Sequence, residues 1–363
     1  SVDERLDRHP IAGPYVRHGP AHRDHVARRL VPHHQGRVAA PQEPDDVLVR
    51  VRAVGVCGSD VHYYAEGRIG NQIVQYPATL GHECAGTVVE VGAEVERLQP
   101  GSRVAIDPAL ACGECDQCRA GRENTCRNIQ FLGNPGQAPG AVADYHVLPA
   151  ANCLPIPDSM TLEQATLIEP LSIGLYAVKM GDVYPAARVA VLGAGPIGLT
   201  AIAAARQRGA GTVIITDVYP ARLEVARAMG AIAVDVRTDD LAAVVAQHTD
   251  GVGVDALFDT SGVRAVIEAA PDLVRKGGAI AIVGLPADDS VTYRMLKVVD
   301  KELSIHGVFR YANTYPAAVA LVASGLHGVE QVITHRFPLA EAPAAFDTAL
   351  NAKDRAIKVM VTL

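Results

Sequence analysis

The stretch "RVAVLGAGPIGLTAIAAARQRG", residues 188–209, leaves this chain little choice of fold. A short apolar run leads directly into a glycine-rich turn, and the turn opens a long apolar helix. A strand that passes at once into a helix has no tight turn on which to form a hairpin. Its partner strands must lie parallel to it, with helices covering both faces of the sheet. The residues that follow obey the same rule. "TVIITD", "AIAVDV", "VDALFDTSG" and "GGAIAIVGL" read as strands, and "RLEVARAMG" reads as a helix stopped by glycine. Strand alternates with helix, so this part of the chain is predicted to be a doubly wound α/β (Rossmann) domain.

Within the turn, Gly193, Gly195 and Gly198 have the spacing G-x-G-x-x-G. That spacing alone is a weak signal. Between a strand and a helix it gains a mechanism: the glycines allow a tight turn, close approach of a pyrophosphate, and close helix–strand packing. The free N–H groups and positive end of the helix then face the phosphates. The strand "TVIITD" ends at Asp217, 22 residues after Gly195. A carboxylate there accepts both ribose hydroxyls of NAD and repels a 2′-phosphate, and Val218 follows it rather than arginine, so NAD is expected over NADP. The alternative is the same sheet with no nucleotide. Arg222 lies either over the adenosine ribose or in solvent at a helix start.

The first half of the chain has a different texture. "VLVRVRAVGVCG", from Val47, alternates as a half-buried strand, and "AGTVVEVG" and "GSRVAI" follow as further short strands. Residues 47 to about 160 are therefore a β-rich module. Residues 1–40 are rich in Arg, His and Pro and show almost no alternation. After residue 310, "YPAAVALVASG" is helical and "IKVMVTL" is a last strand, which need not belong to the nucleotide domain. The 363 residues suffice for two domains, each with its own core. With 33 basic against 40 acidic residues the net charge is −7, which is no footprint for nucleic acid or an anionic membrane. Trp is absent and aromatics are 4%, so no base-stacking platform is expected. Glycines and a proline interrupt the most apolar stretch, so a membrane span of about 20 apolar residues is excluded. The start "SVDERLD" has no signal-peptide pattern, and a cytoplasmic protein is expected.

Two groups of residues could hold metal. "CGECDQCRAGRENTC" places Cys112, Cys115, Cys118 and Cys126 in one loop. Four thiolates so spaced close a tetrahedron around zinc with no open position, which makes a structural site. Two disulfides or four idle thiols are the rival readings, both poor fits in a cytoplasmic chain at this spacing. The second group is dispersed: Cys57 in "GVCGSDVHYY", and His82 and Glu83 in "TLGHECAG". Catalytic zinc takes three protein ligands and keeps one position open. Each residue also has a plainer reading: a small buried thiol, a satisfied core histidine, a carboxylate paired with an arginine. Spacing alone does not assemble them.

Taken together, "CGSD", "GHE", the four-cysteine loop and "GAGPIG", in that order, resemble the zinc-dependent medium-chain alcohol dehydrogenase superfamily from about Val47 onward. "VCGSDVHYYAEGRIG", "LIEPLSIG" and "GVFRYANTYP" are similar to its sorbitol and xylitol dehydrogenase subgroup. The resemblance implies a GroES-like catalytic domain, residues 1–171 and 310–363, and an inserted NAD-binding Rossmann domain, residues 172–309. It implies two zinc ions per chain, with Cys57, His82 and Glu83 on the catalytic one. Glu169 stands where many relatives have a zinc-binding cysteine, and would reach the metal through water or as an alternate ligand. Cys84 is then a small buried residue. The resemblance also assigns a proton relay to Ser59 and His62, and polyol contacts to Tyr63, Arg310 and Tyr311. Cofactor contacts would include Gly193, Gly195, Pro196, Ile197, Gly198, Asp217, Arg222, Val283, Leu285 and Phe309. For His62 the alternative is a surface loop histidine, and for Tyr311 packing at the domain junction. Residues 1 to about 45 depart from the regular strands with which the family begins.

The implied activity is NAD-linked oxidation of a polyol to a ketose, by a homotetramer or a dimer. The alternatives are a zinc dehydrogenase acting on threonine, a sugar acid or a cyclitol, and a non-catalytic NAD-binding relative.

Overall fold

The computed structural model describes residues 40–286, 290–326 and 329–363. The atypical residues 1–39 lie outside them.

Apart from two-residue pairs, five strands come first: β1 (Asp46–Val56), β2 (Glu83–Val91), β3 (Arg103–Ile106), β4 (Tyr145–Pro149) and β5 (Cys153–Pro155). A short helix, α1 (Gly58–Glu66), follows β1, and a long one, α2 (Ile168–Met180), follows β5. Six strands then make the nucleotide-type domain: β6 (Arg188–Leu192), β7 (Thr212–Asp217), β8 (Ile232–Asp235), β9 (Val254–Asp259), β10 (Val274–Ile282) and β11 (Ser304–Gly307). Its main helices are α3 (Pro196–Gln207), α4 (Pro220–Ala228), α5 (Leu241–His248), α6 (Arg264–Leu273) and α7 (Met295–Asp300). The chain ends with α8 (Tyr315–Ala323), β12 (Ile333–Pro338), α9 (Ala342–Asn351) and β13 (Lys358–Thr362).

The six strands form a parallel sheet in the order β8-β7-β6-β9-β10-β11. The sheet reverses direction of growth between β6 and β9, where the glycine turn after β6 lies. The other sheet runs β12-β13-β1-β2-β3-β5, with β4 also paired to β1. The last strand therefore belongs to the first sheet: β13 lies antiparallel along β1, with Val56 opposite Val359.

β1 is more deeply buried than its alternation predicts. Only Arg50 is exposed, and Arg52 is half-buried. The strand is paired along both edges, and a register shift against β2 between Val51 and Ala53 changes which side chains share a face. Val47, Val49 and Val51 thus share one core with Val54 and Val56, although simple alternation would separate them. The shift lies four residues before Cys57.

α2 is apolar almost all round and joins the two lobes. A side chain added at Gly174 would sit 2.8 Å from the Thr200 carbonyl carbon of α3, and Thr200 Oγ1 donates to the Pro170 carbonyl at 3.0 Å. The domain boundary expected between residues 171 and 172 therefore falls inside a continuous helix, with no linker. Among the described residues no helix is long and apolar enough to cross a membrane.

Candidate active site and metal centres

Cys57 caps α1 at the end of β1, and His82 and Glu83 enter at the start of β2, beside it. Antiparallel pairing sets Glu83 opposite Gly55 and so brings residues 26 apart in sequence to one corner. One donor atom from each of Cys57, His82 and Glu83 lies within 4.8 Å of the others.

Asp60, a residue the sequence reading passed over, organises this corner. It is fully buried. One carboxylate oxygen accepts the backbone N–H of Cys57 at 3.1 Å, and the other accepts that of Gly81 at 3.1 Å. His82 Nδ1 is 3.4 Å from the same Asp60 oxygen that meets Gly81. A carboxylate on Nδ1 fixes the ring and leaves Nε2 as the metal-binding nitrogen. Burial works against charge on both partners, yet the attraction between them wins: Asp60 is held below its ordinary value and His82 well above. The only sequence signal was the D of "CGSD", three residues after the cysteine.

Glu83 has a partner that spacing could not reveal. Lys358 of β13, 1% exposed, donates to Glu83 Oε1 at 2.6 Å, to Oε2 at 2.7 Å, and to the Val56 carbonyl at 3.2 Å. The plain reading of Glu83 expected an arginine; a lysine fills that place, from the far end of the chain. Burial opposes charge on Lys358, but Glu83 raises its pKa above the ordinary lysine value. Gly55 leaves the room: a side chain there would overlap Glu83 Oε2. Glu169, in the first turn of α2, is 2% exposed and outside the three-donor cluster. Its Oε2 has no hydrogen-bond partner, and burial pushes its pKa to about 8. An orphaned buried carboxylate oxygen beside His82 and Glu83 suits a bound cation or its water. The donor set of thiol, imidazole and carboxylate fits zinc.

The four-cysteine loop also fits zinc. Its sulfurs are 3.4 Å (Cys112–Cys126), 3.5 Å (Cys115–Cys118) and 4.0 Å (Cys112–Cys118 and Cys115–Cys126) apart. Tetrahedral ligation with bonds of about 2.3 Å requires sulfurs about 3.8 Å apart. Backbone N–H groups of Arg127 and Cys118 lower Cys115 to about 6, while burial among the other thiols lifts Cys118 to about 12. Four thiolates in this space need a cation.

Around the dispersed centre, Tyr63 is buried with its hydroxyl 2.7 Å from Gln72 Oε1 and 2.8 Å from Asn134 Oδ1. Arg310 stacks its guanidinium 3.8 Å over the Phe131 ring, and its Nη1 is buried without a partner. Phe131 also faces His82, with ring centroids 5.3 Å apart. Tyr311 sits in the core between the lobes, its hydroxyl 3.2 Å from Asp107 Oδ1, which is the junction-packing alternative. Ser59 is half-buried in the first turn of α1. His62 lies one turn on, exposed, 3.5 Å from Glu66; it is on a helix and not on a loop.

At the glycine turn, Gly193 has φ +108°, and a side chain on Gly198 would overlap the Gly193 carbonyl oxygen. Gly195 faces open space instead, which leaves its backbone approachable. Pro196, Ile197 and Gly198 begin α3, whose first turn has no side-chain cap. Asp217 accepts the N–H of Ala194 at 2.8 Å, so the acid at the end of β7 also fixes the glycine turn. Arg222 is not a solvated helix-start residue: it stacks on Tyr219, lies 3.7 Å from Asp217 Oδ2 and donates to the Ala356 carbonyl at 3.3 Å. Val283 is half-buried beyond β10, whereas Leu285 and Phe309 are exposed on the same side of the sheet's end.

Two family models match the chain: the alcohol dehydrogenase GroES-like domain over residues 43–158, and the zinc-binding dehydrogenase domain over residues 196–324. Sorbitol dehydrogenase of Bacillus subtilis is 42% identical over 318 residues, covering 87% of this chain and 90% of its own. L-idonate 5-dehydrogenase of Vitis vinifera is 40% identical over 327 residues, 88% of each. Among solved structures, an Escherichia coli oxidoreductase/dehydrogenase of unknown specificity superposes with a TM-score of 0.84 at 35% identity, covering 92% of this chain and 97% of its own. With both domain models matched and the metal-type donors gathered where they are, the chain belongs to the zinc-dependent medium-chain alcohol dehydrogenase family, in its sorbitol dehydrogenase subgroup, and is a zinc-binding oxidoreductase that works with a nicotinamide cofactor.

Proposed function

We propose that this protein oxidises a sugar alcohol to a ketose with NAD. The observation that carries the reading is one corner of the fold. Cys57, His82 and Glu83 converge within 4.8 Å, beside the unpaired Glu169 oxygen and the unpaired Arg310 nitrogen. A carboxylate-rich centre with a polar wall suits a substrate carrying many hydroxyls better than a plain alcohol.

Zinc held at this corner supplies Lewis acidity toward one substrate hydroxyl. The chain's own residues do the rest. Asp60 orients His82, Lys358 holds Glu83, and Tyr63 and Arg310 offer hydrogen bonds to neighbouring hydroxyls. The glycine turn and Asp217 would hold the cofactor, whose nicotinamide would supply the hydride acceptor for the carbon that bears the hydroxyl. The hydroxyl proton passes to Ser59 Oγ and on through His62 to water, so the products are ketose, NADH and a proton. The four-cysteine loop takes the second zinc. NAD is preferred because Asp217, backed by Val218, would repel a 2′-phosphate.

The chain assembles as a homotetramer or dimer. β11 is an open sheet edge among the described residues, and Ile305, Met295, Leu296 and Val299 leave an exposed apolar surface beside it. The cytoplasm is the proposed compartment, in keeping with seven unpaired cysteines.

A second reading has one observation in its favour. The unpartnered Arg310 nitrogen is also suited to a carboxylate, and one relative acts on L-idonate. A kinetic panel of sorbitol, xylitol, L-idonate and threonine, with NAD and with NADP, decides between them. Sorbitol or xylitol turnover with NAD, and about two zinc ions per chain, are expected. Turnover of L-idonate or threonine alone overturns the polyol reading.

A further inference from the structure

The four-cysteine lobe touches the active-site wall at three points that a purely local staple would not need. Asn124, between Cys118 and Cys126, is 3% exposed, and its Nδ2 donates to the Phe309 carbonyl at 2.7 Å. Asn313 Nδ2 donates back to the Gly121 carbonyl of the lobe at 2.9 Å. At the root of the lobe, Ala109–Leu110 pairs with Gln130–Phe131, and the Phe131 ring carries the Arg310 guanidinium. Residues 309–313 are thus held at both ends and in the middle by one lobe.

The held segment is one that would not keep this shape alone. Arg310 and Asn313 both have left-handed backbone, with φ of +54° and +57°. Asparagine tolerates that region; arginine adopts it seldom, so surrounding contacts must impose it. The conformation aims the Arg310 side chain back over Phe131, next to His82. Beyond it, Tyr311 and Tyr315 fasten the chain to Asp107 and to the Ile106 carbonyl, at 3.2 Å and 2.6 Å.

We propose that the four-cysteine lobe positions the substrate-facing arginine, with Asn124 as the positioning residue. Metal in the lobe then supports substrate recognition as well as stability. The inference rests on the polyol reading only for the choice of substrate. It does not depend on that reading for the contact itself, so the two can fail separately.

The test is Asn124→Asp, which keeps shape but sets a carboxylate oxygen against the Phe309 carbonyl in place of a donor. Leaving that acceptor unmet weakens the clamp by about tenfold. The KM for sorbitol or xylitol rises about tenfold, while kcat stays within about twofold. Zinc stays at the wild-type number per chain, and hydrogen exchange speeds up in residues 308–315 but not in β2. Asn313→Asp gives the same pattern, weaker, and decides the matter if Asn124→Asp does not fold. Unchanged exchange in residues 308–315 overturns the proposal. So does faster exchange with an unchanged substrate KM. If wild-type protein turns over a different member of the panel, the polyol reading fails and the same split is read on that substrate.

Discussion

The two metal centres differ in almost every respect that decides how a site is held together. Fifteen consecutive residues, Cys112 to Cys126, carry every donor of one. The donors of the other leave the end of β1 and the start of β2, and the cation that steadies Glu83 arrives on β13. The lobe is half-exposed, its donors are all thiols, and backbone N–H groups supply much of its electrostatics. The dispersed centre is buried except for half-buried Cys57, and it balances its charges pair against pair: Asp60 with His82, Glu83 with Lys358. A local loop can tolerate error elsewhere in the fold. A buried set of opposed charges cannot, because removal of any one leaves its partner desolvated.

The largest expected effect follows from that asymmetry. Lys358→Met removes the cation and leaves Glu83 buried without a counter-charge. In zinc-free protein it should cost about 3–5 kcal/mol in urea unfolding, and Glu83→Gln in the same chain should recover most of it. A neutral Lys358→Met would break the picture of the buried centre as a charge-balanced core. Next comes Asp60→Asn, which loosens the hold on His82. Zinc at the dispersed centre should bind about 10–100-fold more weakly while the lobe keeps its own. Competitive chelation followed by metal analysis would show one ion leaving first; simultaneous loss of both would mean the centres are not independent.

A third effect, confined to one range of pH, concerns the seam between them. Asp107 accepts Tyr311 and the N–H of Ala109, and burial lifts it from 3.8 to about 6. A carboxyl whose folded pKa lies above its unfolded one favours the folded state most while protonated. Stability from this group is therefore fully present below 3.8 and falls as the pH rises through about 6. Asp107→Asn cannot ionise and keeps an acceptor for Tyr311. Thermal melts should show it level with wild type near about pH 4 and more stable above pH 6, by up to about 3 kcal/mol. A variant that is less stable at pH 7 would show that the charge is compensated within the seam.

Much of this was legible before the fold was known, and the limits have physical causes. The parallel sheet was readable because its strands β6 to β10 are short apolar runs that alternate with helices, and these five formed where expected; the edge strand β11, mostly exposed, was not read from the sequence. The four-cysteine loop was readable because its donors are close in sequence, so geometry and spacing nearly coincide. The burial of β1 was underestimated, because a shift in register alters which side chains share a face without leaving a mark in the pattern. Arg222 was left open between ribose and solvent, since its stacking on Tyr219 depends on how a loop closes. Asp60 went unnoticed because an acid three residues from a cysteine has no special chemistry until a histidine 22 residues away faces it.

Glu83 marks the division most clearly. The octapeptide "TLGHECAG" and the distant Glu169 determined that a carboxylate would stand near a histidine and a thiol, because those side chains carry their chemistry wherever they are placed. Only the tertiary structure could supply Lys358, 275 residues further on, whose single charge in an apolar strand reads from sequence as an interruption. Chemistry belongs to residues and travels with the sequence. Pairing of buried charges depends on which strands become neighbours, and for β1 and β13 that is settled by the closing of the whole sheet.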